Sequence, residues 1–548
     1  MRATNMKNTI CISRLFLLLV LALLLTATAQ AAAPGITGPT FNLTAQDAYI
    51  NQPDGAAVYS WGYGCNGNPF GFEPATTTAP FCTNMQVPGP TLIVTEGDTV
   101  SVTLTNHLPA AAGNTSILFP GFNVTATNGV VGLLTREALH NGTVTYTFTA
   151  STPGTHAYYS GTQGDLQVEM GMYGAIIVLP ASTPAACTGG LAAANLAVEA
   201  NWGESDYRLA NNTGSVVGAA YDNDKTCYDR EYLFQFSEMD PNIHTQALAQ
   251  VRKAGNCVAG AVGCSLEVPT EPYHPAYFLI NGRSMPDDMD RNYAFAYPHQ
   301  PYNGNPHMHP GEQVLLRIIG QGRWQHPFHE HGNHVRILGR DGNLIVSATD
   351  STQLAGPALF TTTTTPGMTM DGIFYWTGKG LNWDPYGHNP SSGDANATLP
   401  CTPDANGYNT GVTAQTAINY YEWCQDHNKP LQVAPFGDVA AGGPATLPDA
   451  NIFTNGAWYG GSPYLGPNAT LRATGCSNGA PAPAAGCGAT GSTPPSGTIA
   501  NSPSSEAGFA FMWHSHNERE ITTNNVFPGG MLMMMLVDSR EFQIDESN

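Results

Sequence analysis

The sequence predicts a mainly β protein of the sandwich type, on three observations. Thr91–Val94 and Thr99–Leu104 run apolar, or alternate apolar and polar, between turn signals, and Val144–Thr149 repeats the pattern. The chain is rich in turn formers, with 60 glycines and 41 prolines, while only 11% of its residues are charged, a composition that reads as an extracellular β protein. Helical periodicity is weak except over Ala414–Cys424, where Tyr420-Tyr421-Glu422-Trp423 is expected to lie in a short helix.

From the N-terminus, residues 1–33 carry Arg2, Lys7 and Arg14, an apolar run from Leu15 to Leu25, and Ala29-Gln30-Ala31. A basic start, a short apolar core and an A-x-A site make a secretory signal peptide. That core is too short to span a bilayer, and no later stretch is long and apolar enough. A secreted, periplasmic or cell-surface protein with no membrane span is therefore expected. Loss of the three basic residues takes the formal charge from −21 to −24. So acidic a surface argues against nucleic acid and anionic membranes as partners and is compatible with metal ions.

Ten cysteines follow the signal: Cys65, Cys82, Cys187, Cys227, Cys257, Cys264, Cys401, Cys424, Cys476 and Cys487. Their even number and close sequential pairs, in an oxidising compartment, point to disulfides between neighbours. None forms a CxxC, which excludes a zinc ribbon or a thioredoxin-type centre.

The first domain is placed at 34–180 and a linker at 181–225. The second, at 226–548, opens with Glu231–Phe236 and continues through Tyr277–Ile280 and Gly311–Arg317. Residues 380–505 are rich in Gly, Pro, Ala and Asn and hold four of the cysteines. They read as a disulfide-pinned insertion, longer than ordinary loops, that covers a site or builds an interface.

Two pieces of the second domain carry chemistry: His326-Pro327-Phe328-His329-Glu330-His331-Gly332 and Trp513-His514-Ser515-His516. On a strand, alternate side chains share a face, so each H-x-H can present two imidazoles to one ion. An imidazole-rich, carboxylate-poor donor set suits copper or zinc rather than magnesium or calcium. The competing reading is that these are hydrogen-bonded core histidines without metal. Two β-spaced pairs are harder to explain by packing alone.

HPFHEHG resembles the His-Pro-x-His-x-His-Gly motif of multicopper oxidases, and WHSH resembles their His-Cys-His motif with serine for cysteine. Val87–Thr91 followed by Glu96–Val100, and Gly154–Ser160 leading into Gly171–Val178, are similar to the family's first cupredoxin domain. The resemblance spans about 86–180, 275–345 and 505–540. It implies two cupredoxin-like Greek-key β-sandwich domains with a long irregular insertion in the second, copper as cofactor with zinc as the alternative, and a homotrimer as the assembly typical of two-domain members. By position, His326 resembles the type 1 copper histidine, His329 the type 2 ligand, and His331, His514 and His516 type 3 ligands. The departures are specific. Ser515 occupies the position of the type 1 cysteine, and a hydroxyl cannot replace a soft thiolate. Glu520 precedes a longer Ile521–Gly530 segment where the family places another histidine and soon a methionine. The first domain's ligand pairs are replaced by Leu118-Phe119-Pro120 and Tyr159-Ser160-Gly161. A laccase-type four-electron reduction of oxygen is therefore not expected.

Other features carry less weight. His307-Met308-His309 reads as a solvated loop, with copper capture as the sharper option. His334 could support the site or add a ligand. Met531, Met533, Met534 and Met535 read as core filler, and Glu518 and Glu520 as a solvated loop. Three functions are compatible with the sequence: an exported copper-binding protein with a reduced histidine site, in extracytoplasmic metal handling or surface assembly; an active copper-dependent oxidoreductase acting on metal ions, phenols or small oxygen or nitrogen species; and a metal-free structural sandwich.

Overall fold

The computed structural model describes residues 33–74, 79–188, 218–379, 400–410, 419–427, 507–538 and 544, with short strand segments at 431–432, 461–465, 470–472, 489–490 and 499–500. The signal segment, the pair Cys476 and Cys487, residues 414–418 of the expected helix and most of the 380–505 insertion lie outside the described residues.

The chain is mainly β, as expected, and among the described residues its four largest sheets form two pairs. In the first pair the strands are β1 (Gly35–Thr37), β2 (Thr40–Asn51), β3 (Ala57–Cys65), β4 (Phe72–Glu73), β5 (Leu92–Thr95), β6 (Thr99–Asn106), β7 (Thr125–Asn128), β8 (Thr143–Thr149), β9 (Gly154–Tyr159) and β10 (Tyr173–Leu179). One sheet runs β9-β10-β5-β1-β4 and the other β3-β2-β6-β8-β7. The alternation seen in the sequence is the burial pattern: Val100, Val102 and Leu104 of β6 and Val144, Tyr146 and Phe148 of β8 enter one core with Trp61 and Tyr63.

The second pair is built from β11 (Arg230–Met239), β12 (Tyr277–Ile280), β13 (His307–Met308), β14 (Gln313–Gly320), β15 (His326–Glu330), β16 (Val335–Arg340), β17 (Asn343–Leu344), β18 (Thr361–Thr364), β19 (Thr369–Tyr375), β20 (Ala507–Ser515) and β21 (Leu532–Val537). One sheet runs β12-β11-β14-β19-β16-β17, the other β13-β21-β20-β15-β18. Between them lie Phe234, Phe328, Phe374, Trp376, Phe511 and Trp513, with Met531, Met533 and Met535 as core filler.

The two sandwiches meet across a seam with an apolar patch. Ile93, Ala157, Ala175, Ile177 and Leu179 of the first pack with Leu233 and Ile319 of the second. Beside this patch Arg317 pairs with Glu231 at 2.7 Å and Asp371 at 3.5 Å, all nearly inaccessible. Thr155 N and Tyr221 Oη both donate to Asp371, at 3.0 and 2.6 Å.

Two helical points differ from the sequence reading. Tyr420–Trp423 is a turn, with Tyr421 at φ +64°, and only Cys424–Asp426 winds into a short 3₁₀ turn. Besides α1 (Gly164–Gln167), a 14-residue helix, α2 (Pro241–Ala254), occurs where none was expected. Asp240 caps it by accepting from Asn242 N, Pro241 sits in its first turn, and Gly255 follows its end at φ +56°. Although it follows β11, it packs on the first core: Ile243 and Ala247 join that cluster, and His244 Nδ1 approaches Tyr59 O at 2.6 Å.

Disulfides join Cys65 to Cys82, Cys187 to Cys227, Cys257 to Cys264 and Cys401 to Cys424, the neighbour pairing the spacing suggested. No helix among the described residues is long and apolar enough to cross a membrane.

Candidate metal centre

β15 and β20 carry both histidine motifs and pair antiparallel, with Phe328 opposite Ser515, His329 opposite His514 and Glu330 opposite Trp513. Opposed residues of such a pair share a face, and sequence neighbours alternate. His516 N donates to Pro327 O at 2.8 Å, so the pairing runs on past the strand end. The outer face therefore collects His329, His331, His514 and His516. His326, Phe328, Glu330, Trp513 and Ser515 face inward.

On the outer face the imidazoles converge. Ring centroids lie 4.9 Å apart for His329 and His331, 4.8 Å for His329 and His516, 5.2 Å for His331 and His514, and 5.6 Å for His514 and His516. Nε2 of His514 and Nε2 of His331 approach to 3.3 Å. Two nitrogens each about 2.0–2.1 Å from one tetrahedral ion would be roughly 3.3 Å apart, so this pair already has the spacing of shared ligation. The rings are oriented from behind. His514 Nδ1 donates to Ser515 O at 2.7 Å, and His329 Nδ1 meets Thr361 Oγ1 at 2.7 Å. A ring N–H fixed on a carbonyl leaves the other nitrogen as the ligating one, so His514 presents Nε2. Burial, and then the neighbouring His331, His514 and His516, push His329 down to about 4, and burial also lowers His514. Both rings are neutral at pH 7, the form that binds metal. An all-nitrogen set of this kind fits copper or zinc. His516, whose side chain is 51% exposed, forms the solvent side. His334 meets Phe360 edge to face at 4.8 Å, and Phe360 in turn lies 5.8 Å from His329.

The structure does not bring His326 to this cluster. It sits on the opposite face, fully buried, with Nδ1 on Glu520 Oε2 and Nε2 on Glu238 Oε2, each at 2.9 Å. Because both ring nitrogens face carboxylates, both must donate, which makes the ring an imidazolium. Burial alone would lower its pKa, but the hydrogen bonds to Glu238 and Glu520 and the charges of both carboxylates outweigh that and raise it to about 9. Ser515 Oγ donates to the same Glu520 oxygen, and Asn517 Nδ2 to the other at 2.8 Å. Glu238 Oε1 accepts from the backbone N–H groups of Arg323 and Trp324 at 2.7 and 2.9 Å. Histidine and serine thus stand together where the resemblance places a type 1 copper, but in a closed ionic network with every ring nitrogen in use.

Three further differences follow. Glu520 is buried rather than solvated, because its carboxylate is the counter-charge of His326; Glu518, at 75% side-chain exposure, is the solvated one. His307 and His309 are buried, not a solvated loop: His307 Nδ1 lies 2.6 Å from Asp538 Oδ2 and His309 Nδ1 3.0 Å from Asp538 O, because β13 pairs in parallel with β21. Glu330, between two outward histidines, points into the core. Burial raises its carboxyl to about 8, Thr362 donates to Oε1 at 2.9 Å, and Oε2 has no partner among the described residues, as suits a protonated acid. The sequence held a signal for Glu330, since the residue between two same-face neighbours must take the other face, but none for Glu238.

In the first sandwich Leu118 and Tyr159 bridge through their backbones. The two segments expected to hold lost ligands are therefore adjacent. With Ser160, Gly161, Gln321 and Pro366 they line a cavity of about 320 Å³ at the seam, and none of the four clustered histidines is part of its wall.

Residues 71–183 match the family profile described as multicopper oxidase. They form a multicopper oxidase domain. The chain is 37% identical over 100 residues to laccase abr2 of Aspergillus fumigatus, a stretch that covers 18% of this chain and 16% of that protein. It is 36% identical over 113 residues to L-ascorbate oxidase of Brassica rapa subsp. pekinensis, 20% of this chain and 19% of that one. The chain thus matches less than a fifth of the length of these relatives. Among solved structures, the blue copper oxidase from Nitrosomonas europaea aligns with a TM-score of 0.42 and 15% identity, over 90% of this chain and 85% of its own. The profile match thus lies in the first sandwich, while the clustered histidines belong to the second.

Proposed function

We propose that this is an exported, copper-binding, multicopper-oxidase-like protein whose metal site is reduced to a single ion on His329, His331, His514 and His516, and that it serves extracytoplasmic metal handling or surface assembly. The observation that carries this reading is the 3.3 Å approach of the His331 and His514 Nε2 atoms. A bound copper would supply a Lewis-acidic, redox-active centre there. The chain's own part is to hold neutral rings in one orientation through Thr361 and the Ser515 carbonyl, and to keep water from three of them. The domain limits of 34–180 and 226–548 and the signal peptide belong to the same proposal. Zinc is the alternative ion, and a trimer the alternative to a monomer.

The second reading, a copper-dependent oxidoreductase, is favoured by the exposed His516 edge, which leaves the cluster open to a small donor. A laccase-type cycle is not proposed, because Ser515 and His326 are tied into the Glu238–Glu520 network and Leu118 and Tyr159 offer no imidazole.

Equilibrium dialysis of the mature chain against Cu(II) tests the assignment. His329→Ala and His514→Ala should each weaken binding by roughly tenfold or more, while His326→Ala should leave it unchanged. Equal loss in all three variants, or none in any, would count against the assignment, and a chain that refuses both copper and zinc would leave the metal-free sandwich.

A further inference from the structure

We infer that the Cys401–Cys424 disulfide masks a second metal site, formed on reduction by the two thiolates with His427 and Glu422 and suited to a zinc-like divalent cation. The inference uses none of the four clustered histidines and stands apart from the proposed function.

One ligand atom each from Cys401, Glu422 and His427 already lies within 4.8 Å of the others. The sulfur of Cys424 is bonded to that of Cys401, so a fourth donor adjoins the group. Cys424-Gln425-Asp426-His427 places sulfur and imidazole on one turn, closed by His427 N donating to Cys424 O at 3.3 Å. Glu422 is fully buried, and its two oxygens lie 2.8 and 3.0 Å from His427 Nδ1. Asn419 Nδ2 donates to Oε2 at 3.1 Å and fixes the carboxylate. A buried carboxylate with a half-buried imidazole against two sulfurs forms a ligand set rather than a surface ion pair.

The donors are also held by bonds other than the disulfide. Asn409 N donates to Glu422 O at 2.9 Å, Tyr421 N to Asn409 O at 2.8 Å, and Cys424 N to Gly407 O at 3.0 Å. Asn409 Nδ2 adds a bond to Asn419 O at 3.0 Å. Breaking the S–S bond therefore leaves the two segments in place. Around one zinc ion, with sulfur at about 2.3 Å and nitrogen or oxygen at about 2.0–2.1 Å, donors are roughly 3.3–3.8 Å apart. The three donors now within 4.8 Å would close to that spacing, and the two sulfurs would part to it.

The chemistry balances with a dithiol as reductant. Two electrons and two protons pass from the dithiol, which closes to its own disulfide, and the Cys401–Cys424 bond opens to two thiols. Each thiol releases its proton as it ligates. A disulfide oxidant takes the two electrons back by exchange and is itself reduced to a dithiol; this re-forms the Cys401–Cys424 bond and releases the ion, so disulfide and metal exclude one another.

Cobalt(II) is the probe, because cobalt–thiolate bonds absorb intensely in the near ultraviolet and imidazole ligands do not. The oxidised full chain should show no thiolate band. After treatment with a dithiol it should take up about one further cobalt per chain and develop the band. Cys401→Ser gives the decisive protein, since it exposes the Cys424 thiol with the other disulfides intact and needs no reductant. It should show a weaker band, lost when His427→Ala is added. The proposal is overturned if Cys401→Ser shows no band, if the band survives His427→Ala, or if reduced Cys401→Ser/Cys424→Ser still shows the wild-type signal, which would place it at other cysteines.

Discussion

His326 and His329 share one short strand and have opposite chemistry, and the difference is the face each takes. His329 is held neutral among imidazoles; His326 is held charged between Glu238 and Glu520. The sequence could show that His329 and His331 share a face. It could not show where His326 would find partners, because Glu238 and Glu520 lie on other elements far along the chain. The pH dependence of stability separates the two roles. His326 has a pKa of about 9 in the fold against a reference of 6.5. Below about 6.5 it is protonated folded or unfolded, and its stabilisation is present in full. Between about 6.5 and 9 only the folded state still holds the proton, so stability falls across that window as pH rises, by ~3 kcal/mol in all. Glu330, raised from 4.5 to about 8, adds a slope of the same sign at lower pH. Urea midpoints between pH 6 and 10 should therefore fall in the parent protein, and less so in His326→Gln; parallel profiles would contradict the ionic network. Ser515→Cys gives a further check. Cysteine alone should not create a blue centre, because the neighbouring imidazole keeps both nitrogens on carboxylates. An intense visible thiolate-to-copper band in that variant would contradict this.

Among the elements, the strands were the most legible. The alternation of Thr99–Leu104 and Val144–Thr149 became β6 and β8 with their apolar residues in one core. α2 was missed although its signals were present: Asp240-Pro241 as a start, Ile243, Ala247 and Val251 at helical spacing, and Gly255 as a stop. Its apolar stripe is narrow because one buried position is His244, satisfied by the carbonyls of Tyr59 and Glu169. The reverse error occurred at Tyr420–Trp423, where aromatic residues suggested a helix. There Tyr408 stacks on Tyr421 at 4.7 Å, and the left-handed Tyr421 turns the chain instead. Asp240→Ala should lower stability by about 1–2 kcal/mol through the lost cap, read by thermal or urea unfolding. No change would mean that tertiary contacts alone hold α2.

For the whole molecule, the seam between the sandwiches combines an apolar patch with a buried Arg317–Glu231–Asp371 group. Arg317→Ala would leave two buried carboxylates without their cation and should cost about 3–5 kcal/mol in urea unfolding; a loss under ~1 kcal/mol would contradict the buried pairing. None of this was legible in the sequence, since Arg317 reads as one polar position in an apolar strand. The metal centre was half legible. The two H-x-H pairs announced their meeting, whereas the diversion of His326 onto Glu238 and Glu520 did not show in the sequence; together with the absence of imidazoles at Leu118 and Tyr159 it underlies the proposal of a single-ion site. Copper and zinc per chain, measured on protein exported under copper supplementation and paired with an EPR spectrum, test that claim most directly. About one copper with a non-blue, nitrogen-rich signal is the expected result. Three or more coppers with oxidase turnover, or no bound metal at all, would contradict it.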